Sequence, residues 1–213
     1  MGAIICPSVT PANSDPHVFR EQIERVGFAP RIQIDLMDGD FAPHKNTNPI
    51  QLWWPDNVEA DIHLMYRRPI EQLETLISLS PHLIVLHAES EGDIAGAISH
   101  IKRFGLKAGV ALLADTTVEQ AYGCIEVADH VLLFSGKLGE FGGTTDLGLL
   151  EKVPQIRAIR PDVEIGWDGG ANSDNVRALA EGGVDVIAVG GAIQRAPDPH
   201  AMYNLLMQRV TKY

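Results

Sequence analysis

Eight short apolar runs are spread along this chain, and the stretches between them carry apolar residues at helical spacing. The runs are Ala3–Pro7, Arg31–Leu36, Glu59–Leu64, Leu83–Leu86, Lys107–Leu112, His130–Phe134, Glu164–Asp168 and Asp185–Val189. Strands that alternate with helices imply parallel pairing, because each helix returns the chain to the start of the next strand. Helix signals fill most of the gaps. Asp15-Pro16 opens a segment with Phe19, Ile23 and Val26 on one face and Gly27 as its stop. Similar segments begin near Pro69, Gly92, Thr117, Asp146, Ser173 and Pro199. The stretch from Asn48 to Trp54, which ends at Pro55, is short and carries the weakest signal. Eight such units in 213 residues fit an α/β fold of the (β/α)8 TIM barrel type better than a doubly wound sheet. No Gly-x-Gly-x-x-Gly opens the first helix, so the dinucleotide-binding fingerprint is missing.

Composition narrows the function classes. With 45% hydrophobic residues and nothing resembling a linker, residues 1–213 are expected to form a single barrel domain. A formal net charge of −11 argues against nucleic acid or an anionic membrane as partner, since most of the surface would repel phosphates. A phosphate ester can still be bound locally by backbone N–H groups. Cys6 and Cys124 match no metal-ligand spacing and no disulfide framework, and read as buried hydrophobes. No apolar run approaches the ~20 residues of a membrane span, and the N-terminus lacks a signal-peptide pattern, so a soluble cytoplasmic protein is expected.

Chemistry in such a barrel gathers at the C-terminal ends of the strands. Asp35-Leu36-Met37-Asp38-Gly39 closes the second run and Asp168-Gly169-Gly170 closes the seventh, so two carboxylates are expected to face one pocket, a proton-transfer arrangement. Alternate residues share a strand face, which makes Gln33 and Asp35 neighbours and lets His63 approach from the adjacent strand. His87 and Glu89, at the fourth strand end, read either as a hydrogen-bonded pair behind the site or as purely structural. Gly169-Gly170 and Gly190-Gly191 end adjacent strands, where glycines let backbone approach a phosphate; the alternative is tight strand-to-helix turns. Gly142-Gly143 lies in the longer loop after the sixth run, either a loop that closes over a ligand or a surface loop without that role. Met37 and Met65 are expected to pack the barrel top, and Asp38 to organise the turn at Gly39.

The segments Pro7-Ser8, Ile34-Asp35-Leu36-Met37-Asp38-Gly39-x-Phe41-x-Pro43, Asp61-Ile62-His63-Leu64-Met65, Phe141-Gly142-Gly143, Asp168-Gly169-Gly170 and Gly190-x-Ala192-Ile193 resemble, in order and spacing, those of the ribulose-phosphate 3-epimerases. The resemblance runs from about residue 4 to residue 210. It implies a cytoplasmic ribulose-phosphate-binding barrel of carbohydrate metabolism, an isomerase that interconverts D-ribulose 5-phosphate and D-xylulose 5-phosphate by inverting carbon 3. It also implies that Asp35 and Asp168 are the acid and base on opposite substrate faces. Ser8, His63 and the glycines Gly142, Gly143, Gly169, Gly170, Gly190 and Gly191 would hold the sugar phosphate. A divalent metal (Zn, Mn, Fe or Mg) would sit on Asp35, His63 and Asp168, and the protein would form homo-oligomers.

The chain departs from that pattern at several positions. Gln33 stands where the family has its first metal-binding histidine, so metal binding is expected to be weakened or absent, with oxygen-preferring ions favoured. Asp40, Pro43-His44, Gly139-Glu140 and Gly191 replace a histidine, a Pro-Asn, a Pro-Gly and a phosphate-side serine. Three alternatives follow: a catalytically silent sugar-phosphate binder, an epimerase for another ketose phosphate, or a barrel enzyme with a different reaction such as aldol cleavage. A Schiff-base aldolase needs a lysine at a strand end; Lys107 begins its strand, which leaves Lys137 as the candidate. Trp53-Trp54 reads as packing of the short second connection or as an interface patch.

Overall fold

The computed structural model describes residues 2–11, 13–139 and 143–211. Eight parallel strands close on themselves in sequence order. They are β1 (Ile4–Val9), β2 (Arg31–Met37), β3 (Glu59–Met65), β4 (Leu83–His87), β5 (Lys107–Leu112), β6 (His130–Phe134), β7 (Glu164–Asp168) and β8 (Val186–Val189). The helices are α1 (Pro16–Val26), α2 (Leu73–Ser78), α3 (Ile94–Arg103), α4 (Tyr122–Val127), α5 (Lys152–Ile159), α6 (Val176–Glu181), α7 (Gly191–Gln194) and α8 (Pro199–Val210).

Local sequence accounts for most of these boundaries. Asp15, Asp93 and Asp198 cap α1, α3 and α8, each carboxylate accepting from an N–H of the first turn, and proline follows the cap in α1 and α8. The second connection holds only a 3-10 turn at Pro49–Gln51, closed by Asn48 and Gln51 in a capping box; Pro55 follows too soon for a full helix. Its two tryptophans differ: Trp54 is partly buried and Trp53 is exposed. Trp54 lies against the core, and the Trp53 ring stands edge-on to Phe19 at 6.4 Å with Arg20 over its face.

Several boundaries differ from the expected ones, some strand ends by a single residue and others as follows. β1 runs two residues past Pro7, because Ser8 and Val9 pair with Gln33 and Ile34 of β2; Ser8 therefore sits inside a strand. α4 begins at Tyr122, after a turn in which Thr117 and Gln120 bond each other's backbone N–H. α7 is an additional turn of helix after β8, starting at Gly191, which no apolar periodicity announced.

Outward-facing strand residues such as Ile34, Ile62, Ile84, Val110, Val131 and Ile165 join the inner faces of the helices in one large apolar core. The alternate residues point into the barrel. There Leu83, Val85, Ala111 and Leu132 form a separate apolar cluster, while polar and charged side chains occupy the two ends. At the N-terminal end Arg31 is buried against Asp61 and Glu164. The C-terminal end holds the candidate site.

Candidate active site

Register delivers the first pair. β2 and β3 align Asp35 with His63, and Gln33 points inward two residues earlier. The β6–β7 pairing sets Asp168 opposite Phe134 at the same end of the barrel. Across this floor the Gln33 amide donates 2.8 Å to Asp35 Oδ1 and 2.7 Å to Asp168 Oδ2, so one side chain spans the two carboxylates. His63 Nδ1 lies 3.2 Å from Asp35 Oδ1 and 3.2 Å from Asp168 Oδ2. Thr10 Oγ1 donates to the remaining Asp35 oxygen at 2.5 Å.

These contacts set the charge states. Burial would lower the His63 pKa, but its hydrogen bonds to Asp168 and Asp35, with their charges, raise it to about 9. Asp168 is raised above the ordinary carboxyl range by burial and by the charge of Asp35, with His63 and Gln33 pulling the other way. The site therefore holds an imidazolium between two carboxylates, one of them biased toward the protonated form.

Behind His63 a buried chain of side chains continues. His63 Nε2 is 2.8 Å from His87 Nε2, and His87 Nδ1 is 3.3 Å from Glu89 Oε2. Burial, reinforced by the charge on His63, lowers His87 to about 4 and leaves it neutral. Burial acts to raise Glu89, but its bonds from His87, Thr116 and the Leu113 N–H hold it below the usual range.

A cavity of about 280 Å³ opens above the carboxylates. Its walls include Ser8, Thr10, Asp35, Met65 and Asp168, together with Gly169, Gly170, Gly190, Gly191 and Arg195. Gly169 and Gly170 adopt φ of 112° and 69°, and any Cβ on them would collide with the backbone at Gly136 and Gly143, so the β6 and β7 ends approach as only glycine allows. Gly143 also borders the cavity, while Gly142 lies outside the described residues, as do Glu140 and Phe141. Met37 and Met65 pack with Ala42, Phe41 and Leu138 beside the site. Asp38 accepts from the N–H groups of Asp40, Phe41 and Arg67, ordering the loop after β2. Lys137 is absent from the cavity wall among the described residues.

Three contributors had no strand-end signature in the sequence. Thr10 and Arg195 enter the cavity from loops. Asn46 accepts from the Met37 N–H and donates to the Asp35 carbonyl, fixing the backbone that carries the carboxylate. An Asn in a polar loop carries no pattern that marks it out.

Asp35, His63 and Asp168 each offer a ligand atom, all within 4.8 Å of one another, a donor set that fits a divalent cation. Gln33 presents N–H to those same oxygens, so a fourth donor from it requires the amide to turn over and offer Oε1.

Comparison with known proteins adds the family. The model of the ribulose-phosphate 3 epimerase family matches residues 4–194. A ribulose-phosphate 3-epimerase of Helicobacter pylori is 32% identical over 91% of this chain and 92% of its own length. Another, of Mycobacterium leprae, is 28% identical over 98% of this chain and 96% of its own. The crystal structure of 3-hexulose-6-phosphate synthase from Salmonella typhimurium superimposes with a TM-score of 0.67 at 15% identity, covering 99% of this chain and 98% of its own, a likeness of fold.

Proposed function

Since this chain belongs to the ribulose-phosphate 3-epimerase family, we propose that it inverts carbon 3 of a ketose phosphate, interconverting D-ribulose 5-phosphate and D-xylulose 5-phosphate. The observation that carries this reading is the bridge from Gln33 to Asp35 and Asp168 at 2.8 and 2.7 Å, which holds two carboxylates side by side on the cavity floor. Inversion needs a base on one face of carbon 3 and an acid on the other. Asp168, biased toward its protonated form, is the acid in one direction and the base in the other, with Asp35 taking the opposite role. Removing a proton beside a carbonyl leaves an enediolate, whose negative oxygen needs donors already in place. The His63 imidazolium lies beside the carboxylates and supplies positive charge at this spot, while the Gln33 amide is engaged with Asp35 and Asp168. A divalent cation held by Asp35, His63 and Asp168 would take the place of the His63 Nδ1 proton and supply that charge stabilisation itself.

The phosphate end is assigned to the opposite wall, where Gly169, Gly170, Gly190 and Gly191 expose backbone and Arg195 supplies the cationic side chain among the described lining residues. Ser8 borders the sugar, and Gly143 lines the same cavity. The test is proton NMR of D-ribulose 5-phosphate in D₂O with and without Mn²⁺, Zn²⁺ or Mg²⁺. Loss of the carbon-3 proton signal with growth of D-xylulose 5-phosphate is expected, abolished in Asp35→Asn and Asp168→Asn. A signal that persists with every metal, while the sugar phosphate still binds, rejects the reaction and leaves a binder or an enzyme for another ketose phosphate.

A further inference from the structure

We infer that Glu89 and His87 are positioning residues: the Glu89 carboxylate fixes the hydrogen-bond polarity of the buried His87–His63 chain, so that His63 keeps its Nε2 proton and turns Nδ1 to the two aspartates. The inference rests on the acid–base reading of Asp35 and Asp168.

Donors and acceptors are fixed from the Glu89 end of the chain. An ionised carboxylate only accepts, and both Glu89 oxygens are engaged. Oε1 takes the Leu113 N–H at 2.9 Å and the Thr116 hydroxyl, and Oε2 faces His87 Nδ1 at 3.3 Å. His87 therefore carries its proton on Nδ1 and leaves a lone pair on Nε2. Two imidazole nitrogens 2.8 Å apart must share one proton between them, and that proton then belongs to His63 Nε2. His63 has one nitrogen left, Nδ1, and it is the atom 3.2 Å from both Asp35 and Asp168.

Both rings are fully buried and lie in near-parallel planes, with centroids 5.0 Å apart, so neither can reach water to change partner. The far end is anchored as well. Lys152 Nζ donates to the carbonyls of Leu113, Ala114 and Thr116, which clamps the loop whose N–H and hydroxyl hold Glu89. A carboxylate that orients an imidazole through its second nitrogen is a known way to fix tautomer and direction. Here one further imidazole is interposed.

Glu89→Gln should reverse the polarity. Its oxygen stays with the fixed Leu113 N–H, and its NH₂ faces His87 Nδ1, which must then accept; His87 carries its proton on Nε2 and donates to His63. Long-range nitrogen–proton NMR of the full chain at neutral pH reads both rings directly. Wild type is expected to show His63 protonated at Nε2 and His87 at Nδ1, and Glu89→Gln to show His63 unprotonated at Nε2. In parallel kcat for the carbon-3 inversion should fall about 10–100-fold with KM unchanged. A wild-type spectrum with His63 unprotonated at Nε2 overturns the inference, as does a folded Glu89→Gln variant with wild-type spectrum and kcat. If Glu89→Gln fails to fold, the wild-type spectrum alone decides. The spectrum needs no turnover, so loss of the epimerase reading and loss of this one are separable.

Discussion

At the N-terminal end of the barrel interior, Arg31 lies 2.7 Å from Asp61 and 2.8 Å from Glu164, with His82 on Asp61 and His130 on Glu164, each at 2.8 Å or less. At the C-terminal end Asp35 and Asp168 meet no arginine or lysine among the described residues, and share the N–H groups of Gln33 and His63. The lower network has a permanent cation forking between its acids, and burial notwithstanding, Arg31 and His130 hold Glu164 well below the usual carboxylate range. In the upper network burial and the neighbouring acid raise Asp168. Two buried clusters on the same strands are thus settled differently. The lower one satisfies its charges and holds the strand ends together; the upper one pushes a carboxyl above the ordinary range and opens onto a cavity.

That contrast predicts opposite mutational signatures. Asp168→Asn should cost about 10²–10⁴-fold in carbon-3 exchange, yet leave the thermal midpoint unchanged or higher because it relieves the repulsion with Asp35. A midpoint well below wild type would erase the distinction. Arg31→Met should do the reverse. Stranding the buried Asp61 and the partly buried Glu164 costs about 3–5 kcal/mol, roughly 10 °C in a chain of this size, with exchange preserved at temperatures where the variant is folded. Calorimetry and exchange on one preparation decide it. Arg195→Gln comes next, with KM for D-ribulose 5-phosphate up about tenfold at unchanged kcat, as for loss of one charged hydrogen bond; an unchanged KM removes Arg195 from the phosphate wall.

The smallest effects are in pH dependence, and they split the two ends. Glu164 titrates lower in the folded chain than in the unfolded one, so its stabilisation is complete above pH about 4.3 and lost as pH falls below that. His63 titrates higher when folded, so its stabilisation is complete below pH about 6.5 and lost as pH rises through about 9. Midpoints recorded with a chelator should therefore sag on the acid side through the lower network and on the alkaline side through the upper one. Glu164→Gln should flatten only the acid limb and His63→Asn only the alkaline limb; a variant that flattens the other limb contradicts the assignment.

Much of this was legible along the chain. Strand positions follow from short apolar runs, and their alternation puts Gln33, Asp35 and His63 on one surface, because side-chain period on a strand is fixed at two. The glycine pairs at the ends of β7 and β8 marked the strand ends that border the cavity. Less visible were α7, too short for any periodicity, and Thr10, Asn46 and Arg195, loop residues whose positions depend on how the loops fold over the barrel. The His87–Glu89 pair could be read two ways from sequence, and its contact with His63 was in neither reading.

The sequence by itself determined a parallel barrel, the end at which its chemistry lies and the carboxylates that face each other there, since these depend on strand order, strand period and local turn residues. Only the tertiary structure decided which neighbours each buried charge meets. Arg31 and Gln33 are two residues apart on one strand, and barrel closure sets the first against Glu164 and the second against Asp168, at opposite ends of β7. That pairing of strands distant in sequence, in a medium that screens charge poorly, separates a structural ion cluster from a reactive one.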